Sequence, residues 1–261
     1  MALARTVDAD ALRQVGEWVR PVAGAAEQLL PVLAPLEPLF PEGGLRRGST
    51  VMVQGAPGAT SLALALGAAA SAAGSWGAAV NLPSLGLLAA AELGVVLERV
   101  VVVPDPPSGA WATVVAALLD AVDLVWVGLP RRVALGEARR LVARARERGS
   151  VLVPVAPHAL GAGAAVPAGR GWPQAADIRL RTASSAWIGP LGGPGHLEAR
   201  QVEVVAEGRG ASARERRIPL WLPGSDGRLA PGADVPAPQS VLCRLSSAQD
   251  GSSDKERGQV G

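Results

Sequence analysis

The stretch Val51-Met52-Val53-Gln54-Gly55-Ala56-Pro57-Gly58-Ala59-Thr60-Ser61-Leu62 (VMVQGAPGATSL) decides how the rest of this chain is read. An apolar run of strand type ends in a turn with two glycines, and Thr-Ser then opens an Ala/Leu-rich segment of helical character. Strand, glycine turn and helix in that order are the layout of a phosphate-binding loop, where backbone amides, a lysine and a Ser/Thr hydroxyl hold phosphate and magnesium. The chemistry here is incomplete. Two residues separate Gly55 from Gly58, where the full motif has four. Ala59 stands at the lysine position, followed by Thr60 and Ser61. The chain's one lysine is Lys255, and the arginines nearest in sequence, Arg46 and Arg47, precede the strand.

Outward from this stretch the rhythm is regular. STVMVQ, GAAVNL, RVVVVP, DLVWVG and SVLVPVA are short β-branched runs, and Ala/Leu-rich helical segments at 60–73, 84–94, 108–121 and 134–148 separate them. Strands apolar throughout, alternating with helices, predict a parallel sheet covered on both faces. The fold class expected is α/β, doubly wound, with a mostly parallel sheet. Further on, ADIRLRTA, HLEARQVEVVAE and RRIPLWLP alternate apolar and polar residues and read as antiparallel strands extending the sheet on its C-terminal side. The organisation expected is an N-terminal helix and proline-rich segment over 1–45, a core domain over 46–222, and a Gly/Ser/Pro-rich, disordered tail over 223–261.

A working nucleotide site of this layout also needs an acid at the end of a later strand to hold magnesium. In DLVWVG that position falls on Gly128. Asp123 opens the same strand, roughly 16 Å away at the standard rise, and cannot serve. GAAVNL is followed by Pro83 and Ser84, so the water-activating glutamate is missing as well. Lysine, magnesium acid and catalytic glutamate are thus absent at three separate strand ends.

The order of these segments carries a resemblance. GGLRRGSTVMVQGAPGATSLALALGAAA, WGAAVNLPSLGLLAAAELGV, LERVVVVPDP and AVDLVWVGLP resemble the core of a RecA-type recombinase domain. With its degenerate nucleotide site and its length, the chain looks most like the ImuA-type proteins of actinobacteria, RecA-like accessory factors of mutagenic translesion synthesis. The resemblance covers half to two thirds of the chain. It implies a RecA-like fold and a non-catalytic scaffold role in a DNA-damage-induced (SOS) assembly. The implied partners are an ImuB-type, Y-family-like protein and an error-prone C-family polymerase. It also implies self-association through the N-terminal segment. No cofactor is expected. Two alternatives stand beside this reading: an ATP-binding enzyme with an unorthodox site, using Thr60, the loop amides and an arginine from a neighbouring subunit, and a direct DNA-binding module.

For the second alternative the candidates are arginines. The segment 131–148 carries seven, against Glu137 and Glu147. Arg139 and Arg140 stand at its middle, and Arg140, Arg144 and Arg148 recur every four residues on one helical face. Arg209, Arg214, Arg216 and Arg217 cluster near a second turn. Each group is either a phosphate contact or a solvated face. The Gly161–Gly171 loop holds Arg170 as its one charge, too little for filament-type DNA binding, so DNA is expected to bind weakly if at all. Thr60 and Ser61 read as a helix N-cap kept from an ancestral loop.

Trp126 and Trp111 are expected in the core, and Trp18 as either a partner anchor or a packing residue. Val241 and Leu242 form an apolar island in the tail that could dock a partner. His158 and His196 have no nucleophile or ligand pattern beside them, and the single cysteine, Cys243, excludes a structural zinc cluster and suits a reducing compartment. A net charge of +2 does not by itself imply nucleic acid. With no signal peptide and no apolar run long enough to span a bilayer, a cytoplasmic protein is expected.

Overall fold

The computed structural model describes residues 28–55, 58–107, 109–130, 133–157, 172, 176–189, 198–209, 213–232 and 242–244. Trp18, Val241, His158, His196 and the Gly161–Gly171 loop lie outside these residues. The parallel strands are β3 (Val51–Gly55), β4 (Gly77–Val80), β5 (Val100–Val103), β6 (Leu124–Gly128) and β7 (Val151–Pro157). The helices α1 (Ala59–Ala72), α2 (Leu87–Glu92), α3 (Trp111–Ala121) and α4 (Leu135–Arg148) connect them. Two short strands, β1 (Leu29–Pro31) and β2 (Gly44–Arg46), precede them, and β8 (Ile178–Ile188), β9 (Ala199–Gly208), β10 (Arg216–Trp221), β11 (Ala230–Pro231) and β12 (Leu242–Arg244) follow.

The large sheet runs β11-β10-β9-β8-β3-β7-β6-β4-β5, with β12 paired to β8. β5, β4, β6, β7, β3 and β8 are parallel, while β8, β9, β10 and β11 pair antiparallel. The fold is the expected α/β, RecA-like doubly wound sheet with an antiparallel extension. The ADIRLRTA strand departs from the expectation in detail. It joins β3 in parallel, Val51 opposite Ile178 and Gly55 opposite Thr182, so it completes the parallel layer before the antiparallel part begins.

Each face of the sheet has its own core. One packs α1 and Ala90 of α2 onto Val51, Val53, Trp126, Val153 and Val202. The other packs α3 and α4 onto Met52, Val80, Val125, Val127 and Leu152. Trp126 and Trp111 are buried, as expected. Trp126 explains how closely α1 approaches β6. A Cβ on Gly67 would lie 2.4 Å from its Cζ2 and one on Gly77 2.7 Å from its Cζ3, so both positions are kept bare for the indole. Its Nε1 donates to the carbonyl of Ala63 at 2.6 Å, satisfying the indole's one polar atom.

The proline-punctuated segment belongs to this same body. Its prolines leave room only for a 3-10 helix, Ala34–Leu39, whose Leu36 and Leu39 are fully buried beside Phe40 and Leu45. The sheet likewise continues beyond residue 222, through the pairing of β10 with β11. Among the described residues no helix is long and apolar enough to cross a membrane, and no group of three or more His, Cys, Asp or Glu could hold a metal ion.

Candidate functional site

The glycine turn sits where β3 ends, at the edge of the sheet toward which all the parallel strands point. Gly55 has φ +127°, and a Cβ there would fall 2.2 Å from Thr182 Oγ1 on β8, so the turn lies directly against that strand. Gly58, at φ +122°, is the N-cap of α1 and offers no side-chain cap. The N-cap expected at Thr60 and Ser61 is therefore corrected: they are the second and third residues of the helix, because the positive φ needed to enter it falls on a glycine. Ala59, at the lysine position, is 2% exposed and belongs to the apolar core.

The residue that sequence reasoning missed is Arg200. It lies on β9, 139 residues after Ser61, yet its guanidinium lies against Gly58: a Cβ there would be 3.2 Å from Arg200 Nη2 and 3.3 Å from Cζ. Arg200 Nη2 donates to Ser61 Oγ at 3.2 Å, and Nε donates to the Leu222 carbonyl at 2.6 Å. The guanidinium lies over the ring of Trp187, its cross-strand neighbour, 5.0 Å from the centroid. Only 5% of Arg200 is exposed, and burial lowers its pKa to about 10. No carboxylate among the described residues offsets that burial. A cation also sits badly at a helix N-terminus, where the backbone dipole is already positive. A signal for this residue was present in HLEARQVEVVAE. Arg200 shares the period-2 phase of Val202, Val204 and Ala206, all buried on one face.

The magnesium-acid position is closed by backbone. Gly128 ends β6, and a Cβ there would lie 1.8 Å from the carbonyl oxygen of Asn81. Asn81, at φ 53°, folds back so that its Nδ2 donates to the Gly128 carbonyl at 2.9 Å, and Trp111 Nε1 donates to the same oxygen at 3.3 Å. Asp123 is at the other edge, as its place in the strand required. Its Oδ1 receives Arg47 Nη1 at 2.7 Å and its Oδ2 the Trp76 amide at 2.9 Å. Arg47 is thus held far from the glycine turn.

The arginines proposed as nucleic-acid contacts differ in how far their charge is already paired. On α4, Arg144 makes two hydrogen bonds to Asp120, one from Nε at 2.6 Å, and Arg148 adds a third at 3.1 Å. The hydrogen bond to Asp120 raises the Arg144 pKa. Arg139 and Arg140 are exposed. In the second group Arg217 pairs with Glu215 at 2.6 Å and Glu203 at 3.7 Å, and Arg209 lies 3.7 Å from Asp177. Arg214 is exposed and Arg216 half-buried. Arg144, Arg209 and Arg217 thus have a local counter-ion, which sequence spacing alone did not reveal.

Residues 38–160 match the family model described as the MT3502 N-terminal domain. That stretch takes in β2 to β7 with the glycine turn and Gly128, and stops before the strand that carries Arg200. Over 97 residues the chain is 47% identical to a protein of Mycobacterium tuberculosis (strain ATCC 25618 / H37Rv) described as uncharacterized protein Rv3395c. The aligned stretch makes up 37% of this chain and 47% of that protein. The chain thus spans about half the length of the curated relative it matches, and the match to the family model is carried by the part of the sheet that holds the degenerate loop.

Proposed function

We propose that this chain is a non-catalytic, RecA-like accessory protein of the ImuA type. It acts as a scaffold in a DNA-damage-induced translesion polymerase assembly, through contacts with an ImuB-type, Y-family-like protein and an error-prone C-family polymerase. The supporting observation is the closure of Gly128. A RecA-like ATPase needs an acid there, and the Asn81 carbonyl 1.8 Å from any Cβ excludes one without moving the β4 end. The buried Ala59 at the lysine position and the guanidinium packed on Gly58 support the same reading. A fold that keeps its sheet while losing the groups that neutralise a triphosphate is suited to presenting surfaces rather than turning over nucleotide. The partners come from the resemblance to ImuA-type proteins.

A second reading has one observation in its favour. The ATP-binding alternative required an arginine from a neighbouring subunit, and Arg200 brings a guanidinium to the loop from within the chain. Calorimetric titration of the full chain with ATP and ADP in magnesium, beside a hydrolysis measurement, separates the two. Absence of heat at high micromolar protein is the expected outcome. Micromolar affinity that disappears in Arg200→Met would replace the scaffold reading with the nucleotide-binding one. Co-purification with the two polymerase-assembly partners, with and without residues 1–27, then tests the scaffold role itself. Loss of both partners from the intact chain would defeat it.

A further inference from the structure

At the opposite edge of the sheet, where the parallel strands begin, lies a cleft of about 460 Å³. Its apolar walls come from Phe40, Leu45, Val51 and Ile178, and four arginines, Arg46, Arg47, Arg146 and Arg209, line it with Glu42 and Asp177. The charges are unequally committed. Arg47 is bound to Asp123 at 2.7 Å. Asp177 accepts the Thr50 amide through Oδ2 at 2.9 Å and faces Arg209 at 3.7 Å. Arg46 and Arg146 are exposed and take part in no ion pair or side-chain hydrogen bond among the described residues. The backbone between their two elements is closely packed. Gly48, at φ +76°, leads out of β2 so close to α4 that a Cβ on it would meet the Arg146 Cα at 3.1 Å. Arg46 and Arg146 thus line one cleft, and neither forms an ion pair with its carboxylates, Glu42 and Asp177.

Arg146 also continues a line along α4. Arg139 is seven residues earlier, on the same helical face and about 10 Å away at the helical rise. It too is exposed, with no ion pair among the described residues. Arg140, Arg144 and Arg148 lie on a different face, where Asp120 neutralises the last two. Arg139, Arg146 and Arg46 thus form one track of uncommitted charge leading into the cleft, while Arg140, also exposed and without an ion pair among the described residues, stands on the other face of α4.

We infer that this cleft and its approach bind phosphate groups, and that the length of the track favours those of a nucleic-acid strand over a free small phosphate. Guanidinium forks are suited to phosphate oxygens. The inference is independent of the scaffold reading, since the cleft is at the far edge from the glycine turn. The test is fluorescence anisotropy of a labelled single-stranded oligodeoxynucleotide over a salt series with the full chain, beside calorimetry with pyrophosphate. The double variant R46Q/R146Q is compared with R144Q/R217Q, which removes the same net charge from arginines already paired. Thermal melting checks that both fold.

The expected result is oligonucleotide binding that R46Q/R146Q weakens by about tenfold or more, with the log–log salt slope shrinking by about 1.4 for two lost single-strand contacts. R144Q/R217Q changes affinity less than about twofold, in keeping with exposed charges that already have partners. Pyrophosphate binding alone, lost in R46Q/R146Q, keeps the cleft as a phosphate site and assigns it to a small ligand. No binding of either probe, or equal effects of the two double variants, overturns the inference.

Discussion

The two edges of the sheet hold buried or crowded arginines for opposite reasons. At the edge with the glycine turn, Arg200 is one cation, sealed between Trp187 and Gly58, with its hydrogen bonds made to a carbonyl and a hydroxyl. At the edge where the strands begin, the arginines are largely in solvent, and those that pair do so with Asp123 and Asp177. A charge sealed without a counter-ion reports on packing and on the site it fills. A charge left uncommitted in an open cleft reports on what could come to meet it. The edge that carries the recognisable motif is therefore the closed one, and the edge without a motif has the accessible charge.

The strongest way to break that comparison is to reopen the closed edge. Gly128→Asp restores the acid that a RecA-like site requires, but its Cβ would have to displace the Asn81 carbonyl. We expect a loss of about 4 kcal/mol or failure to fold, in the range reserved for backbone clashes in a core. Gly128→Ala should still cost more than about 2 kcal/mol, because the clash begins at Cβ. Urea denaturation measures both. A stable Gly128→Asp that gained magnesium-dependent ATP binding would mean that the edge is shut only by the missing side chain.

Arg200 comes next. Arg200→Ala removes a guanidinium that packs on Trp187 and leaves the Leu222 carbonyl without its side-chain donor, which should cost about 1–3 kcal/mol. Arg46→Ala at the other edge should stay within about 0.5 kcal/mol. The pH dependence sharpens the contrast. The folded pKa of Arg200, about 10, is below the ordinary guanidinium value, so above pH 10 the unfolded chain holds more protons at this residue than the folded one. Stability contributed by Arg200 therefore rises with pH through that window. The difference between wild type and Arg200→Ala in denaturant midpoint should widen between pH 9 and 11. A difference that shrank would mean that an anion, and not burial, sets the state of this arginine.

How much of this was legible beforehand follows the length scale of the signal. LVWVG is apolar at every position and VMVQG at all but Gln54, which required a sheet buried on both faces, and each became a parallel strand. The vacancy at Gly128 could be read from its strand position, but its closure could not, because that depends on Asn81 turning back at positive φ from a neighbouring strand. Thr60 and Ser61 looked like caps by residue type, whereas the helix entrance needed a positive φ and took Gly58. Arg200 had its phase with Val202 and Val204 as a signal, but its meeting with Gly58 is a long-range contact between β9 and the turn. The parallel place of β8 was hidden for a related reason: alternation shows one wet face and leaves strand direction open. The pairing of Arg144 and Arg148 with Asp120 arises between helices and has no local trace.

That last pairing gives the smallest of the expected effects and the finest test of the comparison. Asp120 receives both Arg144 and Arg148, each side chain at least partly in solvent. Asp120→Asn should therefore cost no more than about 1 kcal/mol, as for other exposed ion pairs. Its informative consequence is electrostatic. Two arginines on α4 lose their counter-ion, so that helix gains charge on a face different from the one bearing Arg139 and Arg146. If accessible charge on the track binds phosphate, freeing charge elsewhere on the helix should raise oligonucleotide affinity only a few-fold, through the general field, with the salt slope nearly unchanged. A steeper slope in Asp120→Asn would show that any exposed arginine on α4 recruits phosphate, and the distinction between committed and uncommitted charge would lose its force.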